Sequence, residues 1–293
     1  MTPVEIVTAD GEHRRADREN DPDLFWAVRG GGGAFGVVTA IEFDLFPLTE
    51  VYAGILWFPV ERAAEILRAW RDWTDEVPDE MTSVGRILQL PPMEAIPEPV
   101  RGKSFVIVEA IYCGDDHADG ERLVAPLRAL GPVMDTVTAM PIAKLSQLHM
   151  DPEGPVPARG DGEMTTDVDN ELIGRIVASV VGTPILSAEI RHVGGAVARA
   201  RAEHGAVAAF DASYSLFAVG MAPTPEAGAA VEASVHALMA AVEPWAADHT
   251  YLNFADSDRA ATTLWTETPH HRLRRVKAAY DLQNVIRSNH PIR

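Results

Sequence analysis

Five glycines fall within seven positions, Gly30 to Gly33 and Gly36, and no other stretch of the chain is so poor in Cβ atoms. Gly31, Gly33 and Gly36 formally spell the G-x-G-x-x-G of a dinucleotide fingerprint. That motif works by ending a strand and opening a helix, whose N-terminus then receives a pyrophosphate. Here the order is reversed, because a helical pattern precedes the glycines and a strand pattern follows them. What survives is a backbone that a bulky ligand can approach closely. Two glycines would serve a plain helix-to-strand turn, so the excess favours a ligand. Other side chains able to meet a substrate lie in the middle of the chain: Arg191 and His192 in AEIRHVGG, and Tyr214 in ASYSLFAVG. A strand sends successive side chains to opposite faces, so Arg191 and His192 cannot both face one ligand. For His192 and Tyr214 a hydrogen-bonded place in the core is the competing reading.

Two further groups carry less. His270 and His271 are adjacent at a helix start, where neighbours diverge by about 100° and make poor co-ligands, so both are expected at the surface and no metal site is expected. Cys113 is the single cysteine and sits in the apolar run KSFVIVEAIYC, which suggests an inert buried thiol and excludes an internal disulfide.

The elements that position these residues fall into three stretches. In residues 1–49, Val4–Thr8 reads as a strand and Asp21-Pro22 opens a helix carrying Leu24, Phe25 and Val28. After the glycines, Val37, Ile41, Phe43 and Leu45 share one strand face, which Pro47 ends. This piece cannot cover both faces of its own sheet. Residues 50–245 alternate strands with amphipathic helices: strands near 51–58, 83–90, 104–112, 185–193 and 213–220, and helices near 60–77, 117–130, 169–180 and 226–242. The Trp positions of the first helix read as core. The alternation predicts an α+β fold with one antiparallel sheet and helices on one face. Asp151–Gly162, rich in Pro and Gly, is expected to be a loop. Residues 246–293 are polar and Arg-rich, with a helix near 269–280.

Composition narrows the partners. Against 25 Lys and Arg stand 43 Asp and Glu, a net charge of −18, which opposes binding to nucleic acid or to anionic membrane surfaces. The apolar runs are too short for a membrane span, and the first residues lack the apolar core of a signal peptide, so a cytoplasmic location is expected.

The block DPDLFWAVRGGGGAFGVVTAIEFDLFPL resembles the end of the FAD-binding domain in the vanillyl-alcohol-oxidase superfamily. The closing YLNF and RLRRVKAAYDLQNVIRSNHPI resemble the last segment of its berberine-bridge-enzyme-like group. The resemblance implies that residues 1–49 end a flavin-binding domain. Residues 50–245 would form a substrate domain whose sheet roofs the isoalloxazine, and residues 246–293 would return to the flavin domain. By matched position, Gly32, Gly33, Phe35, Gly36, Val37 and Val38 would lie along the adenosine diphosphate part of FAD. Tyr251, Asn253 and Asn289 would stand near the flavin ring, Tyr251 as the catalytic phenol and the asparagines on the ring's polar edge. Ala34 replaces the Asn usual after the glycines. Phe254 stands where plant members commonly carry a tyrosine base. The family's R-x-G-G-H phosphate loop does not occur in the chain.

The function so implied is an FAD-dependent oxidase or dehydrogenase that takes hydride from a small organic substrate, a secondary metabolite or a sugar. A flavin-free binding protein or cyclase, or a fragment completed by a separate N-terminal half, are the alternatives. The uncovered apolar face near residues 37–45 leads one to expect a homodimer or pairing with such a half.

Overall fold

The computed structural model describes residues 1–293 except positions 95, 153 and 293. In chain order the elements are β1 (Val4–Val7), β2 (His13–Ala16), α1 (Pro22–Val28), β3 (Val37–Ile41), β4 (Glu50–Pro59), α2 (Ala63–Thr74), β5 (Met81–Gln89), β6 (Ser104–Tyr112) and α3 (His117–Arg128). There follow β7 (Met134–Asp135), β8 (Thr138–Pro141), β9 (Ala158–Thr165), α4 (Asn170–Val180), β10 (Ser187–His192), β11 (Tyr214–Met221), α5 (Pro225–Val242), α6 (Ala261–Leu264) and α7 (Glu267–Tyr280). They divide between two compact units. One comprises Met1–Pro47, Val197–Asp211 and Asp248–Arg293; the other comprises Leu48–Ala196 and Ala212–Ala247.

In the smaller unit an antiparallel sheet of order β2-β1-β3 covers α1 and α7. Pro22 at the start of α1 has no N–H to waste, and Asp21 before it takes a left-handed conformation (φ 49°). Leu24, Phe25 and Ala27 of α1 then meet Ile6, Phe35, Leu273 and Val276 in one apolar cluster. The two chain ends pack together here, because neither can bury its own apolar side alone. The outer strand β3 is different. Val37 is 62% exposed and Ile41 53%, and beyond it Phe43, Leu45 and Phe46 are 59%, 81% and 84% exposed.

The larger unit is an α+β layer. Its antiparallel sheet has the order β7-β4-β6-β5-β10-β11-β9, with β8 also paired to β4. Leu56, Phe58, Val106, Val108, Ile190 and Leu216 point to one face, where Ile66, Leu67 and Trp70 of α2, Ile173 of α4 and Val235 of α5 close the core. The helices begin on ordinary caps: Asp116, Asp169 and Thr224 each accept a backbone N–H of the first turn. At the centre, Gly85 leaves room for the Trp70 ring, whose indole N–H donates to Ser83 Oγ at 2.8 Å. Cys113, half-buried, packs beside Ile111, and burial pushes its thiol up.

Two features depart from the sequence expectation. Part of the anticipated loop 151–162 is strand: β9 begins at Ala158 and runs to Thr165, pairing with β11 from Ala158↔Met221 to Thr165↔Tyr214. Gly160 and Gly162 mask it in the sequence, because main-chain bonding to β11 needs no side chains. Position 153 of that loop lies outside the described residues. The second departure is the segment 197–211, which sits in the middle of the sequence yet belongs to the smaller unit.

A Cβ on Gly85 would come within 2.8 Å of the buried Trp70 ring, which has nowhere to retreat. Gly85→Ala is therefore expected to lower unfolding free energy by about 1–3 kcal/mol, in the range of overpacked cores. Urea titration followed by circular dichroism measures it. An unchanged midpoint would show that the sheet and α2 separate freely.

Candidate functional site

The glycine run resolves into two kinds of position. A Cβ on Gly30 would strike Val207 at 2.6 Å, one on Gly31 the carbonyl oxygen of Ala27 at 2.3 Å, and one on Gly36 the carbonyl oxygen of Val7 at 2.3 Å. These three are demanded by packing. Gly32 and Gly33 are exposed. Gly32 has φ 70°, a conformation that favours glycine, and a Cβ on Gly33 would meet nothing closer than Ser288 at 4.0 Å. A Cβ on Gly32 would sit 3.2 Å from Leu252, so of the two exposed glycines only Gly33 is free of packing constraint. Phe35, matched to the cofactor in the sequence, is 1% exposed and its ring belongs to the core, so it offers a ligand no surface and instead anchors the turn. Val37 and Val38 stand on the exposed strand β3.

A buried lysine bolts this turn to the C-terminal tail. Lys277 on α7 donates to the Ala34 carbonyl at 2.7 Å, to the Ile286 carbonyl at 2.7 Å and to Asp281 Oδ2 at 2.6 Å. Asp281 in turn accepts the N–H groups of Val285 and Ile286. Burial pushes the Asp281 carboxyl up, but the Lys277 and backbone donors outweigh it and the net direction is down. Ala34, Lys277, Asn284, Ile286 and Ser288 line a cavity of 290 Å³ beside the bolt. Tyr280, one turn on from Lys277 and shielded from solvent, donates to Asp21 Oδ1, and its phenol is pushed up to about 12. Lys277 was invisible as a functional residue in the sequence. Its i,i+4 spacing to Asp281 was the available signal.

Tyr251 is held by rings. Phe210 and Phe254 each meet it edge-to-face, with centroids 5.2 and 5.1 Å away. Asn253 Nδ2 donates to its hydroxyl at 2.7 Å. These two expected site residues are thus brought together, and Phe210 arrives from the segment 197–211. Asn289 is exposed in the tail. The adjacent histidines divide: His271 is exposed, whereas His270 is half-buried and stacks on Trp265 at 6.1 Å, so it serves packing rather than the expected surface.

In the larger unit the three expected substrate residues part company. Tyr214 and His192 lie together on the helix-covered face, their rings 5.6 Å apart. Tyr214 is buried with its hydroxyl 2.8 Å from Thr74 Oγ1, and burial raises its phenol and lowers His192. Both are structural there, because α2 covers that face. Arg191 points the other way, into an ion cluster on the helix-free face. Its Nε donates to Glu189 Oε1 at 2.7 Å. His149 stands between two carboxylates, Nδ1 at 2.8 Å from Glu109 Oε2 and Nε2 at 2.9 Å from Glu189 Oε2. Arg86 donates to Glu109 at 3.2 Å and to Ser187 at 2.7 Å. Glu109, Glu189 and Arg86 are buried. Burial pushes Glu189 up, yet its bonds to His149 and Arg191 prevail and the net direction is down. Sequence reasoning missed Glu109 and Glu189, though a lone Glu inside FVIVEAIY and another inside SAEIRH were visible as breaks in apolar runs.

Replacing Lys277 by Met would leave the Asp281 carboxylate buried without its cation and two carbonyls without a donor. Lys277→Met is expected to cost about 3 kcal/mol of stability, read from urea unfolding. Unchanged stability would mean that the tail is not bolted to the glycine turn.

Known proteins resemble the chain in its closing segment and in its fold. The family described as Berberine and berberine like matches residues 250–293. The (R)-6-hydroxynicotine oxidase of Paenarthrobacter nicotinovorans is 31% identical over 171 residues, 57% of this chain and 34% of that protein. The FAD-linked oxidoreductase aurO of Gibberella zeae is 35% identical over 79 residues, 27% of this chain and 15% of that protein. In fold, the whole chain superposes on 66% of 6-hydroxy-D-nicotine oxidase from Arthrobacter nicotinovorans, with a TM-score of 0.81 and 22% identity. The chain thus accounts for less than two thirds of the length of these relatives. In its closing segment and in related sequences the chain is similar to berberine-bridge-enzyme-like FAD-linked oxidoreductases, and it shares their fold.

Proposed function

We propose that this chain forms the C-terminal part of an FAD-dependent oxidase or dehydrogenase acting on a small organic substrate, a secondary metabolite or a sugar. The observation that carries the reading is the exposed Gly32–Gly33 backbone, bolted through Lys277 to the family's closing segment. The donor set suits part of a dinucleotide. Gly32, Gly33, Gly36, Val37 and Val38 would lie along its diphosphate and adenosine end, with the buried Phe35 ring anchoring the turn between them. Asn253 and Asn289 would bond the polar edge of the ring. When bound, the flavin supplies the hydride acceptor.

The residues of the chain then have separate duties. Tyr251 accepts one hydrogen bond from Asn253, which orients its hydroxyl and leaves its proton to be donated to a ligand. Its neighbours Phe210 and Phe254 keep water from the flanks of the ring. Residues 1–49 and 246–293, joined by the segment 197–211, would serve the cofactor, and the rest of 50–245 the substrate. Arg191, on the helix-free face, is the substrate-side residue this reading retains; Tyr214 and His192 support it from the helix side. The net charge of −18 accords with having no nucleic-acid partner. Among the described residues no helix is long and apolar enough to cross a membrane.

The phosphate-cradling R-x-G-G-H that the resemblance leads one to expect does not occur in these 293 residues. Each missing charge-assisted bond is worth roughly 1–3 kcal/mol. The chain purified alone is expected to emerge from gel filtration without visible flavin absorbance and to bind added FAD weakly. A near-stoichiometric flavin spectrum surviving the column would overturn this. A colourless protein that binds small molecules in calorimetry without any affinity for FAD would favour a flavin-free binder or cyclase.

The exposed apolar strand β3 and the residues after it call for a partner, either a second copy or a separate N-terminal half. We favour the second copy. At about 25 cal/mol per Å², covering several such side chains offsets the repulsion that salt already screens beyond about 8 Å. Light scattering over a concentration series is expected to show a dimer, and the double variant Phe43→Lys with Leu45→Lys a monomer. A wild-type chain that stays monomeric at every concentration refutes self-pairing.

A further inference from the structure

The chain between β8 and β9 has to pass from one edge of the large sheet to the other, because β8 pairs with β4 and β9 with β11. It crosses on the face without helices. The first part of the crossing is a 3-10 segment, Ile142–Gln147, followed by Leu148, His149 and Met150. Most of it is exposed to water; Leu145, Leu148 and His149 are the half-buried residues. Leu145 rests among Val51, Ala53 and Ile111, and Leu148 reaches both that group and the Ile55, Trp57 and Ile107 group. Met150, just past His149, has φ 60°, a conformation that costs a side-chain-bearing residue energy. A strap with few apolar anchors and a strained exit is held over the sheet chiefly by what His149 does.

We propose that Ile142–Met150 is a strap that opens and closes over the helix-free face of the sheet, latched by the His149 side chain between Glu109 and Glu189. The groups facing that imidazole come from three strands. Glu109 of β6 and Glu189 of β10 take its two N–H groups at 2.8 and 2.9 Å. Arg86 of β5 donates to the His149 carbonyl at 2.9 Å and brings the same Nη1 to 3.4 Å from Nδ1, where its charge opposes protonation of the ring. Arg191 of β10 brings Nη2 to 3.3 Å from Nε2 and opposes the charge. The carboxylates prevail: hydrogen bonds to Glu109 and Glu189 raise His149 to about 9 against burial and the arginines. Both N–H groups are present only in the protonated ring, so the neutral ring must give up one of the two bonds.

The direction of the pH effect follows. The folded value lies above the ordinary 6.5, so the latch contributes fully below pH 6.5 and is lost as pH rises through about 9. Over that interval the closing equilibrium weakens by on the order of a hundredfold. Opening exposes Glu109 and Glu189 to solvent and turns two buried ion-pair partners into accessible carboxylates. This inference uses the larger unit alone and does not depend on flavin binding.

Hydrogen exchange, corrected for intrinsic rate at each pH, tests it on the intact chain. Protection at Leu148 and Met150, whose amides bond to Leu145 and Gln147, should fall at least about tenfold between pH 8 and pH 10. Amides of β6 should keep theirs. His149→Gln should lower strap protection already at pH 7, and His149→Lys, with donors for both carboxylates, should restore it and hold it to pH 10. The imidazole itself, followed by NMR, should titrate near 9. Titration near 6.5, strap protection that ignores pH, or loss of β6 protection along with the strap would each overturn the proposal. The wild-type measurements decide the matter even if a variant does not fold.

Discussion

Two carboxylates in the middle of a sheet set the terms for the larger unit. Glu109 is 2% exposed and Glu189 3%, on neighbouring sides of β5. An ionised carboxylate shut away from water is tolerable only with cations and donors at hand. Arg86 stands between them on β5, Arg191 beside Glu189, and His149 is delivered from outside the sheet. The register makes the first two inevitable, because Glu109 pairs with Val84, and Arg86 with Glu189, across the ladder. The third cation cannot come from a strand. It has to be carried by a connection that crosses the face, and the crossing from β8 to β9 is that connection. The charge arrangement and the chain path therefore explain each other, and the helices are left to cover only the opposite face.

The smaller unit solves its charges by a different route. It has little core to spare, with Phe25, Phe35, Trp265 and Leu273 as its main bulk. Its coherence rests on polar bolts between segments far apart in sequence. Lys277 reaches Ala34, Trp265 reaches the Gly30 carbonyl at 2.9 Å, and Arg272 reaches Asp23 at 2.6 Å. Each ties a C-terminal side chain to the first 34 residues. Lys277 is the costly one, since it is buried, and a buried lysine earns its place only when its donors are used. All three of its bonds go to the turn and tail that the family resemblance connects with the cofactor.

What the sequence made legible was whatever periodicity controls. Trp70 and Trp73 at helical spacing in α2 read as core and are core, and the face alternation that separated Arg191 from His192 is realised by β10. The resemblance at the C-terminal end agrees with the family model that matches residues 250–293. What stayed hidden has a common physical cause, dependence on distant partners. β9 is a strand because β11 bonds it, and ARGDGEMT carries no apolar alternation to announce that. The segment 197–211 joins the smaller unit through close packing such as Gly205 against Arg29, where a Cβ would meet the Arg29 carbonyl oxygen at 2.1 Å. Glu109 and Glu189 look like interruptions until the register sets them around Arg86. His149 has no local pattern at all.

The glycine run shows how one motif serves two constraints at once. Read as a string, five glycines argued for a ligand. In space, Gly30, Gly31 and Gly36 are each excluded from bearing a Cβ by Val207, Ala27 and Val7, so tight joining of α1 to β3 accounts for them. The ligand argument then rests on Gly33, which alone has open space around it, whereas Gly32 is held to glycine by its φ of 70° and by Leu252 at 3.2 Å. That is a smaller claim and a stronger one. A residue that packing requires to be glycine says nothing about function, whereas an unconstrained glycine beside a bolted turn needs another reason. Lys277 holds the Ala34 carbonyl, one residue beyond Gly33, which restrains the end of this turn. Pre-organised backbone donors spare a ligand the entropic cost of ordering them, and that is the property a turn needs if it is to lie against a dinucleotide.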